Sequence, residues 1–274
     1  MQKHRPMNTP RPQLEIASLT HAGMVRSHNE DNHAFDALAG FAILADGMGG
    51  YNAGEVASEM AVSTLAAGLR AHAGADIAAA TATLVRGEVE QINAAIHQAA
   101  RDQGHYAGMG TTLVAALFRP GWITVAHVGD SRLYRWRGEQ LTAVTRDHSL
   151  LQEQIDGGLI TREEARLSQH RNLVTRALGV DAKVDVEVHD YPTAPHDIYL
   201  LCSDGLNDMV TDEVIAQVLH DHPSELAAAA RQLVGWANRN GGRDNVTVIL
   251  ARVLDRPAKR GVLARLSGWI GRRG

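Results

Sequence analysis

The sequence lacks disulfide partners, long apolar runs and a large excess of charge of either sign. Cys202 is the one cysteine among 274 residues, so an internal disulfide framework is excluded, as is common in a reducing cytoplasm. No run of about 18 apolar residues is present, so no segment is expected to span a membrane. The formal net charge of −4 offers no basic surface of the kind that nucleic-acid binders need. We therefore expect a cytoplasmic globular protein that does not bind nucleic acid.

The two ends of the chain differ in composition from the part between them. Residues 1–13 are polar and proline-rich without an apolar segment, so we expect disorder and not a signal peptide. Residues 256–274 interleave cations with apolar residues at spacings of three and four, which predicts a basic amphipathic tail. Such a tail would make at most peripheral membrane contact, and the alternative is a solvated basic tail. Residues 14–255 are expected to form a single domain.

Short apolar runs and longer alanine-rich stretches alternate in blocks within this domain. Three β-branched runs between Thr111 and Arg137 are separated by short turns, which predicts antiparallel neighbours. Helical periodicity predicts helices over 53–72, 78–104 and 223–241, the last with Pro223 in its first turn. Blocks of strands and blocks of helices indicate an α+β layered domain. Residues 149–179 are charged, helical in pattern and interrupted by Gly-Gly, so they are interpreted as an insertion packed on the main body.

The stretch FAILADGMGG, residues 41–50, places Asp46 at the end of an apolar run and before a glycine-rich turn. A phosphate-binding loop would need a following lysine, and a dinucleotide fingerprint would need a different glycine spacing. Two interpretations remain at this point. One is a hard-metal site, in which glycine lets backbone carbonyl oxygens approach the ion, and the other is a turn capped by Asp46.

The same pattern, an acidic residue beside an apolar run, recurs at other predicted strand ends. This recurrence favours the metal interpretation. Acidic residues lie at Glu30 and Asp31, at Asp130, at Asp204 and at Asp244, each beside an apolar strand-like run. If these carboxylates converge, two of them about 4 Å apart repel by roughly 4 kcal/mol at an effective dielectric constant near 20. Multivalent cations would relieve that repulsion, and ligands that are all oxygen select Mg²⁺ or Mn²⁺ over zinc. A nearby arginine, Arg26, is suited to gripping a phosphate.

The ordered motifs VRSHNEDN, LADGMGG, GTTLVAAL, VGDSRLY, DHSL, LCSDGL and DNVTVIL resemble those of the metal-dependent Ser/Thr protein phosphatases, the PPM or 2C type, in their bacterial form. The resemblance extends from about Ile16 to Val253. It implies a four-layer α-β-β-α sandwich with two central antiparallel sheets and a helical flap insertion at about 149–179.

The resemblance also implies a role for each acidic residue. Asp46, the Gly47 carbonyl, Asp204 and Asp244 would hold a binuclear Mn²⁺ or Mg²⁺ centre, with Glu30 assisting through a metal-bound water. Asp130 would hold a third, weaker ion together with Asp204. Asp31 would orient the ligands or the Arg26 guanidinium.

The implied reaction is hydrolysis of phosphoserine and phosphothreonine in proteins by a metal-activated water, without a phosphoenzyme. The implied partners are phosphorylated proteins, including a cognate Ser/Thr kinase, and the expected state is a monomer. Met48 stands where animal-type relatives often have a histidine, which leaves the proton donor open between a metal-bound water and His148. The alternatives are a non-catalytic phosphoprotein-binding or sensor module on the same fold, and a phosphoesterase for small phosphate esters.

Overall fold

The computed structural model describes residues 13–50, 53–72, 81–168 and 173–255. The amphipathic tail predicted over 256–274 and all but the last residue of the predicted N-terminal disordered segment lie outside the described residues. No helix in the described ranges is long and apolar enough to cross a membrane.

Two antiparallel sheets form the centre of the described chain. The first sheet has the strand order β1-β11-β10-β7-β8 and consists of β1 (Leu14–His21), β11 (Val246–Val253), β10 (Ile198–Cys202), β7 (Arg132–Arg137) and β8 (Gln140–Ala143). The second has the order β2-β3-β5-β6-β9 and consists of β2 (Asp31–Asp36), β3 (Phe41–Met48), β5 (Leu113–Arg119), β6 (Trp122–Val128) and β9 (Glu187–Pro192), with β4 (Gly110–Thr111) pairing the end of β3. Residues of both sheets, among them Leu44, Tyr199 and Ile249, share one buried cluster, so the sheets pack face to face.

Helices cover the outer face of each sheet. Helices α1 (Ala53–His72) and α2 (Thr81–Asp102) share a buried cluster with strands of the second sheet. Helices α6 (Asp212–Asp221) and α7 (Leu226–Arg239) share another with the first sheet. In each helix, apolar side chains at three- and four-residue spacing, such as Leu65 and Leu69 of α1, form an apolar stripe. This stripe is the face of the helix that is buried against the sheet. The predicted four-layer α-β-β-α sandwich is confirmed.

The prediction that three successive strands between Thr111 and Arg137 are all neighbours is wrong for the last of them. β5 and β6 pair, but β7 pairs with β10 and β8 in the other sheet. The turn between β6 and β7 contains Gly129 at a φ of +107°, a conformation that L side chains rarely adopt. A Cβ on Gly129 would also lie 2.7 Å from the Thr112 side chain. This tight passage sends the chain from one sheet to the other and leaves Asp130 at the end of the sandwich.

The segment 149–179 is only partly helical where it is described. Helix α3 (Leu150–Asp156) begins at Ser149, whose hydroxyl accepts a hydrogen bond from Gln152 N–H. Helix α4 (Arg162–Leu167) begins with a capping box between Thr161 and Glu164. Residues 173–179 are not helical, and they form two single bridges, one from Val174 to Ser149 within the flap and one from Leu178 to Thr111 in the body of the protein. The α7 helix also begins later than predicted, with Glu225 as its N-cap, so Pro223 lies before the helix.

Candidate metal centre

Asp31 and Asp46 face each other across the β2–β3 pair at the end of the second sheet. The backbone of Asp46 is fixed by two threonines, since its N–H donates to Thr112 Oγ1 at 2.9 Å and its carbonyl accepts from Thr111 Oγ1 at 2.9 Å. The following residue must be glycine, because a Cβ on Gly47 would lie 2.1 Å from the Gly54 carbonyl oxygen. The end of β3 therefore packs directly on the start of α1, and this contact fixes the position of the Asp46 carboxylate.

The remaining acids come from the ends of strands in both sheets. Asp130 lies in the turn between β6 and β7, and Asp204 is the first residue of the short helix α5 (Asp204–Asn207), directly after β10. Asp244 lies two residues before β11, the strand that pairs with β10. The carboxylates of Asp130 and Asp204 line one cavity.

Asp31 ties the two sheets together at this end. Its Oδ2 accepts hydrogen bonds from Ser203 Oγ at 2.8 Å and from Thr247 Oγ1 at 2.6 Å, and both donors belong to the first-sheet side. Ser203 in turn accepts from Thr247 N–H at 3.0 Å. Asp31 is buried, and burial is the main reason that its pKa is raised to about 6. Asp31 is paired with Asp46 in the β2–β3 register, whereas the Arg26 guanidinium donates to Asp244.

We call the carboxylates of Asp31, Asp46, Asp130, Asp204 and Asp244 the acidic ring, and their mutual proximity is electrostatically unfavourable. The pKa values of Asp46 and Asp204 are well above the usual range, first because both carboxylates lie deep in the protein and then because of nearby acidic residues, foremost Asp31 for Asp46 and Asp130 for Asp204. Burial, followed by the charge of Asp147, raises the pKa of Asp130 to about 7. Both Asp46 and Asp204 keep some accessible surface, so solvent reaches the ring from one side.

These residues fit a divalent metal. Within the described residues, Asp204 Oδ1 is buried and has no hydrogen-bond partner, which is costly for a carboxylate unless a cation or a proton is present. The side-chain donors of the ring are all carboxylate oxygens, the ligands that Mg²⁺ and Mn²⁺ prefer.

The loop before β2 carries Arg26 and Glu30 to the rim of the ring. Arg26 Nη2 donates to Asp244 Oδ2 at 2.8 Å, and the Arg26 side chain is 54% exposed. Burial raises the pKa of Glu30. The loop is held by Asn245, whose Oδ1 accepts from Glu30 N–H and whose Nδ2 donates to the carbonyl oxygens of Ala22 and His28. Sequence reasoning noted Asn245 beside Asp244 but gave it no role.

A groove extends from the ring to the flap. A cavity of about 300 Å³ is bounded on one side by Asp130 and Asp204 and on the other by the flap residues Gln152 and Ile155. Asp208 also lines it, and its charge contributes to the raised pKa values of Asp130 and Asp204. Sequence reasoning missed Asp208. Its position four residues after Asp204, on the same face of a short helix, is the signal that could have identified it.

Known proteins resemble this chain over most of its length. A family model described as Protein phosphatase 2C matches residues 21–241. The chain belongs to the protein phosphatase 2C family.

Relatives within this family include the serine/threonine phosphatase stp of Listeria welshimeri, which is 40% identical over 234 residues, covering 84% of this chain and 92% of that protein. The crystal structure of the Mycobacterium tuberculosis serine/threonine phosphatase PstP/Ppp superimposes with a TM-score of 0.81 at 38% identity, covering 88% of this chain and 99% of that one. A crystal structure of the catalytic domain of PstP in complex with two manganese ions has a TM-score of 0.80 at 39% identity and the same coverage.

The family assignment confirms the resemblance identified from the ordered motifs. The two manganese ions in the PstP catalytic domain agree with the oxygen-only side-chain donors of the acidic ring. A cysteine nucleophile does not fit this chain, because burial raises the pKa of Cys202 to about 12. His148 also does not face the ring, since its Nδ1 accepts a hydrogen bond from Gly129 N–H and its Nε2 lies 3.2 Å from Glu187 Oε1.

Proposed function

We propose that this chain hydrolyses phosphoserine and phosphothreonine in proteins at a divalent-metal centre built on the acidic ring. The observation that carries the proposal is the convergence of carboxylates from strand ends of both sheets, with a buried Asp204 Oδ1 that has no hydrogen-bond partner in the described part of the chain. A sensor module that binds phosphoproteins without catalysis would not need this electrostatically costly ring. Membership of the protein phosphatase 2C family supports the same conclusion.

In this proposal Asp46, the Gly47 carbonyl, Asp204 and Asp244 hold two Mn²⁺ or Mg²⁺ ions, with Glu30 acting through water. Asp130 holds a third, weaker ion together with Asp204, and the nearby charge of Asp208 supports cation binding there. When bound, such ions lower the pKa of a coordinated water and stabilise charge on phosphoryl oxygens.

The chain's own residues position the substrate and the ring. Arg26 stands at the solvent-exposed rim and presents a planar guanidinium that can donate two hydrogen bonds to a phosphate. Its hydrogen bond to Asp244 holds the guanidinium beside the acidic ring. Asp31, fixed by Ser203 and Thr247, keeps the ends of the two sheets at a constant separation.

We propose that the groove between the acidic ring and the flap receives the peptide around the phosphorylated residue, which favours a phosphoprotein substrate over a small ester. We propose that residues 14–255 form the phosphatase domain, with the flap at 149–179, and that the protein is a monomer. A cognate Ser/Thr kinase is the expected partner because such an enzyme supplies phosphothreonine and phosphoserine. Peripheral membrane contact through residues 256–274 is also part of the proposal.

The experiment that tests the function is a substrate panel. Hydrolysis of p-nitrophenyl phosphate, phosphothreonine peptides, phosphoserine peptides and nucleotides is measured with Mn²⁺ and again in excess EDTA. We expect Mn²⁺-dependent release of phosphate, with kcat/KM higher for the phosphopeptides than for the small esters. Absence of Mn²⁺-dependent hydrolysis would favour the sensor module, and a preference for nucleotides would favour the small-ester phosphoesterase.

A further inference from the structure

A second cluster of potential metal ligands lies at the edge of the sandwich, apart from the acidic ring. It consists of His127 in β6, His148 after β8, and Glu187, the first residue of β9. One ligand atom from each residue lies within 4.8 Å of the other two. His127 and Glu187 are direct partners in the β6–β9 register, so the sheet itself brings them together.

His127 is buried between the two sheets. Its alternate neighbours Ile123 and Val125 belong to the inter-sheet cluster, whereas Ala126 and Val128 pack beneath the helices, so His127 faces inward. The residue is 2% exposed, and the backbone of Gly129 and Ser131 lies close to its ring, but among the described residues neither ring nitrogen has a hydrogen bond of normal geometry. A buried imidazole with both nitrogens unpaired is unusual and calls for an explanation.

The surroundings of His127 are those of a ligand site. Its ring lies 4.6 Å from the His148 ring, centre to centre. His148 Nε2 is also buried, and it lies 3.2 Å from Glu187 Oε1. Burial and then the His148 ring lower the pKa of His127 to about 3, so this imidazole is uncharged at neutral pH and keeps a lone pair for a metal. A cavity of about 190 Å³, lined by His127 and Glu187, gives access to the cluster.

We propose that His127, His148 and Glu187 form a second metal site that takes Zn²⁺ or a similar nitrogen-preferring transition metal. Two imidazoles and one carboxylate are a common zinc ligand set, and a water can complete the tetrahedron. The oxygen-only ring favours Mg²⁺ or Mn²⁺, so the two sites select different metals by their donor atoms.

Zinc at this site is linked to the turn that carries Asp130. Gly129 N–H donates to His148 Nδ1, so the neutral His148 ring carries its proton on Nε2. A metal on Nε2 requires the proton to move to Nδ1, which ends the hydrogen bond from Gly129. Zinc binding should therefore change the environment of the Gly129 amide, one residue from Asp130.

The test is zinc binding to the full-length protein while excess Mn²⁺ fills the acidic ring. Bound zinc is measured by equilibrium dialysis and elemental analysis for the unmodified protein, Glu187→Gln, His127→Gln and the control Asp185→Asn. The control also removes one negative charge. It does so at Asp185, which lies two residues before Glu187 and has a side chain that is 76% exposed. Co²⁺ gives a second readout, because a four-coordinate site with nitrogen ligands absorbs visible light more strongly than an octahedral oxygen site does.

We expect a single zinc ion to be retained by the unmodified protein and by Asp185→Asn, together with the stronger Co²⁺ absorption. Glu187→Gln should bind zinc more than about tenfold more weakly, since even the loss of a partner that orients a ligand costs about 10–100-fold. Glu187 is partly exposed, so this variant should fold even if His127→Gln does not. Failure of the unmodified protein to retain zinc, or equal zinc affinity in Glu187→Gln, would overturn the proposal.

Discussion

Replacing Asp130 by asparagine should stabilise the metal-free protein, and the gain should increase with pH. Asp130 is 6% exposed, and burial together with the charge of Asp147 raises its pKa to about 7 from the usual 3.8. Because the folded-state pKa is raised, the protonated acid is favoured in the fold. The Asp130 carboxyl therefore lowers the free energy of unfolding progressively as the pH rises from 3.8, its pKa in the unfolded chain, to about 7, its pKa in the fold. Above pH 7 this destabilisation is fully present.

The expected size follows from these two pKa values. The penalty is about 1.6 kcal/mol at pH 5 and about 4 kcal/mol at pH 8, because each pKa unit corresponds to about 1.36 kcal/mol. An amide at this position must itself be desolvated, so these values are upper limits for the gain. The increase in the gain between pH 5 and pH 8, about 2–3 kcal/mol, is less sensitive to that cost because the amide does not titrate.

The assay is urea unfolding in EDTA at pH 5 and at pH 8. The free energy of unfolding of Asp130→Asn is compared with that of the unmodified protein and of Asp185→Asn, a control for the change in net charge. Equal m-values are required, since a changed m-value would mean that the surface exposed on unfolding also changed. A gain that is the same at both pH values, or an Asp130→Asn protein that is less stable at pH 8, would refute the electrostatic reasoning.

The remaining predictions concern catalysis and the tail. Asp46→Asn and Asp204→Asn should each abolish Mn²⁺-dependent phosphate release while the circular dichroism spectrum stays unchanged, and a variant that keeps most of its rate would contradict the ligand assignment. Arg26→Ala should raise the KM for a phosphopeptide more than it weakens Mn²⁺ binding measured by calorimetry, whereas lost metal affinity at unchanged KM would contradict its role at the phosphate. A chain ending at Asp255 should keep full activity but lose co-sedimentation with anionic vesicles at low salt, because each basic residue near such a surface contributes about 1 kcal/mol. Equal sedimentation of the two chains would exclude the tail as an anchor.

The sequence was sufficient for the family, the layer architecture and the positions of the acidic residues. Asp46 and Asp204 each follow an apolar strand and precede glycine, a local pattern that depends only on neighbours along the chain. The helix over 53–72 was also predicted at its observed bounds, because its apolar spacing is a local property. In contrast, the short turn after β6 did not reveal that β7 lies in the other sheet, since the partner of a strand is chosen by hydrogen bonding to distant segments.

Only the tertiary structure decided which of these residues contact each other. Asp31 accepts hydrogen bonds from Ser203 and Thr247, which are 172 and 216 residues away in the chain. His127 meets Glu187 because β6 and β9 pair in a particular register, and neither residue stands out in its own segment. Burial, which sets the pKa of each carboxylate and imidazole, also depends on packing by the whole fold. The sequence therefore determined which chemical groups are available, and the folded structure determined their partners, their desolvation and their charge.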